Sequence, residues 1–318
     1  MVQRRSGRSP GQGAGSGRIG GGGADQAGSS GRGRRRPRGG DPLINPGDLL
    51  SLVGLIGLGF IVGAYGTLIG AGGGFVLVPV LLLIYPHQSP TQITAVSLAV
   101  VCANATSGSA SYYRMRRADY RSGILLALAT MPGAVVGALI VNDIPRAAFN
   151  LIMGLALIAV ALFLVLKPHG KIPLLAQSPL SLQRTVVDSD GVSYTYRFNL
   201  GLAMALSVAV GFLSSMLGIG GGIIHVPMLA TFFSFPEHVA TATSHFVLMF
   251  MSAAGTTTHI LHGDFGSFAG VTLALAVGVL VGAPVGAQLS RRVGGAMIIR
   301  LLAIALGVVG VRLLMLQL

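Results

Sequence analysis

The chain of 318 residues has no tryptophan, a single cysteine and only 10% charged residues. Without tryptophan, any aromatic belt at a membrane surface rests on tyrosine and phenylalanine. With Cys102 alone, neither an intramolecular disulfide nor a thiolate metal cage can form. Its apolar neighbours mark it as a small buried hydrophobe. Soluble domains carry about 25% charged residues. A chain with 52% hydrophobic residues and a mean hydropathy of +0.74 cannot cover its apolar side chains with polar ones, so lipid must be the solvent for much of it. Acids are nearly absent from the apolar runs, which disfavours a cation path built on carboxylates. From Leu49 on there is no HExxH, no GxSxG and no GKS or GKT after a glycine cluster, so the apolar part of the sequence carries neither an enzyme nor a nucleotide signature. No cofactor or metal is expected. His259, His262 and Asp264 have ligand-like spacing but no further partner ligand.

What is present falls into two kinds of segment. Residues 1–47 are rich in glycine, serine and arginine, cannot bury enough apolar surface to fold and read as a disordered cytoplasmic tail. Nine arginines stand against three aspartates over residues 1–48, and no apolar stretch follows the first arginine pair, so this is no secretory leader. Loop arginines in such a chain set orientation, and no specific nucleic-acid contact is expected. From Leu49 on, apolar runs cover residues 49–69, 93–111, 122–141 and 147–166, then 200–217, 239–261, 268–289 and 296–316. Each approaches the roughly 20 residues a helix needs to cross a bilayer. Two shorter runs, 75–84 and 223–233, follow glycine clusters and contain Pro79 and Pro227, which predicts broken, half-spanning helices. The polar stretch 167–198 reads as a linker loop between a first repeat, 48–166, and a second, 199–318.

The repeat is visible residue by residue. Residues 63–79 read GAYGTLIGAGGGFVLVP and residues 211–227 read GFLSSMLGIGGGIIHVP. Gly70, Gly72, Gly73 and Gly74 align with Gly218, Gly220, Gly221 and Gly222, and Pro79 with Pro227. Further on, Thr94 and Ser97 align with Thr241 and Ser244, Gly108 with Gly255, and Asp119 with Asp264. The fold expected is an all-α integral membrane protein of two halves, each with about four spans and one glycine-broken segment. With the tail inside, eight spans place Arg114, Arg116, Arg117, Arg121 and the 167–198 linker inside as well, which favours parallel halves. That count leaves Arg291 and Arg292 outside. Ten spans would invert the halves.

Paired interrupted helices at matching positions are the sequence pointer to a transporter site. Glycine lets the backbone break and approach a ligand, and the amides that open the next helix present the positive end of its dipole. The substrate-binding candidates are therefore Gly70, Gly72, Gly73 and Gly74 with Gly218, Gly220, Gly221 and Gly222, supplemented by Ser97, Asn104, Thr241 and Ser244. A small anion is expected between the two clusters. His225 and His245 are the candidates for proton coupling, because a histidine in a span can carry a proton near neutral pH.

The doubled GxGGGxxxxP segment, the Thr-Ala-Thr-Ser stretch after it and the Asp-aromatic pairs Asp119-Tyr120 and Asp264-Phe265 resemble the TauE/SafE-type sulfite and organosulfonate exporters. The resemblance covers residues 50–316. It implies a multi-pass protein of the cell membrane, a secondary transporter exporting a small sulfur-containing or organic anion. The first repeat departs from the second at Leu77, where the second has His225, and at Val96, where it has Thr243. A re-entrant anion channel and a non-transporting scaffold are the competing readings, and the oligomeric state is left open.

Overall fold

In hydrocarbon, every backbone amide and carbonyl must find its partner within the chain, so long apolar runs become helices. The computed structural model describes residues 49–166, 181–290, 292 and 295–315. The tail, residues 167–180 of the linker and Arg291 lie outside the described residues. Ten helices are described: α1 (Leu49–Ile69), α2 (Gly74–Ile84), α3 (Pro90–Arg114), α4 (Tyr120–Ile140), α5 (Arg146–Leu166), α6 (Leu200–Leu217), α7 (Gly222–Phe232), α8 (Glu237–His262), α9 (Ala269–Leu289) and α10 (Gly295–Met315). Short polar side chains start several of them. Ser89 accepts from the Gln92 amide ahead of α3, Asp119 from Ser122 ahead of α4, and Asn199 from Leu202 ahead of α6.

Among the described residues six helices are long and apolar enough to cross a membrane: α1, α3, α4, α5, α6 and α9. The sequence suggests eight. Of the other two, α8 is long, but Thr241, Thr243, Ser244, His245 and the Thr256–Thr258 run lower its hydropathy. The α10 helix, Gly295–Met315, has 21 residues, as many as α1. The α2 and α7 helices have 11 residues each, about 16 Å of rise, half a bilayer. The protein is a multi-pass, mainly helical membrane protein.

Close glycine contacts reveal the helix directions. Gly108 of α3 faces His245 of α8, while Gly255 of α8 faces Leu98 of α3, so these two central helices run antiparallel. The α5 and α10 helices are antiparallel too, with Gly154 against Leu314 and Gly307 near Ala161. By contrast α1 runs parallel to α9, Gly59 meeting Leu275 and Gly63 meeting Val279. Likewise α4 runs parallel to α6, Gly133 meeting Val208 and Gly137 meeting Phe212. A methyl at Gly133, Gly137 or Gly211 would overlap a carbonyl oxygen of the neighbouring helix, which is the small-residue packing that lets membrane helices approach closely.

These directions overturn the parallel arrangement favoured by the arginine count. The end of α2 meets the start of α9, where the Tyr85 and Phe268 rings pack edge to face. Arg146, opening α5, donates to the carbonyls of Leu82, Tyr85 and Gln88 at the same end. Because α1 is parallel to α9, Leu49 lies at this end as well, so the start of α1 and the end of α2 lie at one end of the helical bundle. The α3–α4 turn that carries Arg114–Arg121 lies at the opposite end. Chain direction, not the charge of one loop, decides this.

The linker also differs from the loop expected. Its described part is an antiparallel hairpin, β1 (Ser181–Val187) and β2 (Ser193–Asn199), paired from Ser181–Asn199 to Val187–Ser193. Asp188 closes the turn by accepting from the amides of Asp190 and Val192. The hairpin sits on the α3–α4 turn: the Tyr196 hydroxyl donates to Asp119 at 2.8 Å, Arg184 lies 3.9 Å from the same carboxylate, and Arg117 pairs with Asp188. Burial first, then the Asp119 carboxylate, pushes the Tyr196 phenol well up, so it stays a donor.

Candidate functional site: two glycine breaks at mid-depth

Helix α1 ends at Ile69 and α2 begins at Gly74. Between them Gly70, Gly72 and Gly73 take positive φ (80°, 76° and 82°), a path that side chains resist. In the second half Gly218 and Gly220 do the same, while Gly221 is right-handed at φ −59°. Both breaks lie halfway along α3 and α8, since Gly72 and Gly220 each face Val101 and Leu248.

The breaks touch. A methyl at Gly74 would lie 2.7 Å from the Gly218 carbonyl oxygen, and one at Gly222 would overlap that of Gly70. Contacts to the flanking helices are reciprocal, Gly70 packing on Thr241 and Gly218 on Thr94. The volume between the clusters, where an anion is expected from the sequence, is therefore filled by glycine backbone. The amides are another matter. Those of Gly70, Ala71 and Gly72 turn back to α1 carbonyls, and those of Gly218 and Ile219 to α6. The amides of Gly73 and Gly74, and of Gly221 and Gly222, bond to no backbone carbonyl among the described residues.

Polar side chains treat the two breaks differently. At the first, Asn104 donates to the Gly72 carbonyl at 3.0 Å, Thr67 donates to Asn104 at 3.1 Å, and Tyr112 donates to the Thr67 carbonyl at 2.7 Å. His245 Nε2 lies 3.4 Å from the Thr67 hydroxyl. At the second, Ser97 donates to the Gly218 carbonyl at 2.6 Å. Yet Ser214, Ser215 and Ser244 Oγ and His225 Nδ1, all buried, have no partner.

His225, Ser244, Gly221 and Thr130 line one narrow gap with Val210, Val247, Leu248 and Met251, too narrow to admit a water molecule, and His225 Nδ1 and Ser244 Oγ have no hydrogen-bond partner. The state of the ring follows from its other nitrogen. Ser207 donates to the Ala203 carbonyl at 2.7 Å, so it accepts from His225 Nε2–H at 3.2 Å. The neutral ring then presents a lone pair at Nδ1, and only the protonated ring presents a donor there.

Of the residues singled out from sequence, Gly221, His225 and Ser244 meet at this gap, while Gly72, Asn104 and His245 gather at the first break. Thr241 turns its hydroxyl back to the Glu237 carbonyl. Sequence reasoning missed Thr67, Tyr112, Thr130 and Ser207. Thr67 was findable, since it aligns with Ser215 inside the repeated segment. His259 Nδ1 lies 2.8 Å from Asp264, a paired contact at the end of α8.

The sulfite exporter TauE/SafE family model matches residues 55–313. A Bacillus subtilis (strain 168) protein described as "Probable membrane transporter protein YunE" is 31% identical over 271 residues, covering 83% of this chain and 98% of that one. A Methanocaldococcus jannaschii relative, "Probable membrane transporter protein MJ0441", is 28% identical over 280 residues, 84% of this chain and 97% of its own. A Sinorhizobium relative, "Probable membrane transporter protein ORF9", is 28% identical over 256 residues, 80% and 89% of the two chains. No solved structure gives a significant match. The family match spans both glycine breaks and nearly every described helix, and so the chain belongs to the sulfite exporter TauE/SafE family, a family of membrane transporters rather than enzymes.

Proposed function

We propose that the chain is a secondary transporter of the cell membrane that exports a small anion of the sulfite or organosulfonate class. The anion binds at the second glycine break, in the gap beside Gly221. The observation that supports this most is the set of donors left unpaired there: the Gly221 and Gly222 amides and the Ser244 hydroxyl, with the His225 ring beside them. Buried polar groups without partners cost about 1–3 kcal/mol each, and an oxyanion recovers that cost by accepting from them. The two amides open α7, whose dipole also favours a negative charge.

Two halves of opposite direction support alternating access. The antiparallel α3–α8 and α5–α10 pairs, with the reciprocal Gly70–Thr241 and Gly218–Thr94 contacts, fit inverted repeats related by an axis in the membrane plane. The gap is too narrow for water here, so an anion enters it only in a state in which the walls of the second break stand further apart.

His225 would couple the anion to a proton, because its Nδ1 repels an anion when neutral and donates to it when charged. Protonation rises as pH falls, so apparent affinity rises with it. Flux of sulfite and an organosulfonate panel in proteoliposomes tests the reading. Saturable flux that a proton gradient accelerates is expected, and His225→Leu, which installs the first repeat's Leu77, should remove the pH dependence. Non-saturating flux would favour a channel, and no flux of any anion a scaffold.

A further inference from the structure

At the hairpin end of the molecule a cleft of about 670 Å³ opens between the α3–α4 turn and β1. Arg114, Arg116 and Arg121 line it, with Tyr113, Tyr120 and Val187. All three arginines are exposed and make no ion pair among the described residues, whereas Arg117 beside them is buried and paired with Asp188 and Asp190. The one acid in the lining, Asp119, is already engaged by Tyr196, Arg184 and the Ser122 amide. The cleft therefore has three uncompensated positive charges.

Two local features place those charges against intrinsic preference. Arg116 takes φ 53°, a region that non-glycine residues seldom occupy. Arg121 sits in the first turn of α4, where the helix dipole disfavours a cation. An anion in the cleft would relieve the second and use the first. The cleft also lies where the spanning helices α3 and α4 end, at the depth of lipid headgroups. Tyr113 is 66% exposed and Val187 53% exposed on its rim, an amphipathic and an apolar surface of the kind that meets the glycerol and upper acyl region.

We infer that this cleft seats the phosphate of an anionic phospholipid, with the three guanidinium groups as donors. It is separate from the mid-depth gap and does not rest on the transport reading. The test uses the full chain purified in detergent and incorporated into nanodiscs of mixed phosphatidylglycerol and phosphatidylcholine. Bound lipid is extracted and its composition compared with the bulk. Phosphatidylglycerol should be enriched at the protein, and Arg114→Gln with Arg121→Gln should cut the enrichment about fivefold per arginine. Arg116→Asn removes that charge while keeping a residue that tolerates positive φ, and should act alike. Equal enrichment in well-behaved variants would overturn the assignment. If the variants aggregate, the wild-type enrichment should still fall with added salt, and insensitivity to salt would overturn it too. In lipid-free detergent, phosphatidylglycerol should raise the melting temperature more than inorganic phosphate does. An equal shift with phosphate alone would mean a seat for soluble anions and would refute a lipid site.

Discussion

At the first glycine break Asn104 donates to the Gly72 carbonyl, Thr67 donates to Asn104, and Tyr112 closes the Thr67 carbonyl. At the second, Met251 stands where the repeat would place Asn104, and Ser214, Ser215, Ser244 and His225 keep atoms without partners. The backbone path is nearly the same in both, with positive φ at Gly70 and Gly72 and at Gly218 and Gly220. Duplicated backbone geometry does not imply duplicated chemistry. Substituting a few side chains around a break exchanges a chain of side-chain hydrogen bonds, Tyr112 to Thr67 to Asn104 to Gly72, for a cluster of hydroxyls without partners.

The comparison can be broken outright by topology. The α1–α2 turn-back opens at the end that carries His87, and the second break at the end that carries the hairpin. On a Cys102→Ala background, His87→Cys and Ser189→Cys should react with a membrane-impermeant maleimide from opposite sides, an all-or-none result. Labelling from one side would end the inverted arrangement.

Glycine substitutions sharpen it next. Gly222→Ala would overlap the Gly70 carbonyl oxygen, a backbone atom that cannot step aside, so insertion of folded protein should be lost. Gly221→Ala meets the flexible Met251 side chain at 2.9 Å and keeps a right-handed φ, so the protein should fold. Its methyl would nevertheless enter the gap, and transport should fall by an order of magnitude or more. Size-exclusion profiles beside flux assays separate the two effects.

A milder contrast comes from the serines. Ser244 Oγ has no protein partner, so Ser244→Ala should leave the melting temperature unchanged. It should weaken anion binding by about 1.5–3 kcal/mol, the value of a hydrogen bond to a charged group, or roughly 10- to 150-fold. Ser97→Ala should do the reverse, because it strips a donor from the Gly218 carbonyl: about 1 kcal/mol of stability lost, with binding nearly unaltered. Equal behaviour of the two would erase the distinction between the breaks. The smallest effect is expected for deletion of residues 2–40, whose sequence offers no apolar face to dock. Expression and flux should stay within twofold of the full chain.

Much of this was legible in the sequence, and the rest was not for physical reasons. The helical membrane class, the glycine breaks and the alignment of Ser97 with Ser244 follow from hydropathy and a fixed offset. Helix direction did not, because one arginine-rich turn outweighed the rest of the chain in the count of positive charges. The hairpin was readable in principle: Leu182, Arg184 and Val186, then Tyr194, Tyr196 and Phe198, alternate on either side of Asp190-Gly191. Its polar residues led to a loop reading instead. The close packing of the two glycine clusters on each other was not readable at all. Glycine permits close approach to a ligand or to another backbone, and only the packing of Gly74 on Gly218 and Gly222 on Gly70 decides between them.

The hairpin has one more consequence. Strand β2 ends at Asn199, and that same residue caps α6 through Leu202, so strand and helix join without slack. Its other anchor is Asp119, which caps α4 on the opposite half while holding Tyr196 and Arg184. A segment that reads as a spacer is thus a stiff strut bolted to both halves at one face. The start of α4 and the first turn of α6 are thereby held at one fixed spacing by the same two strands.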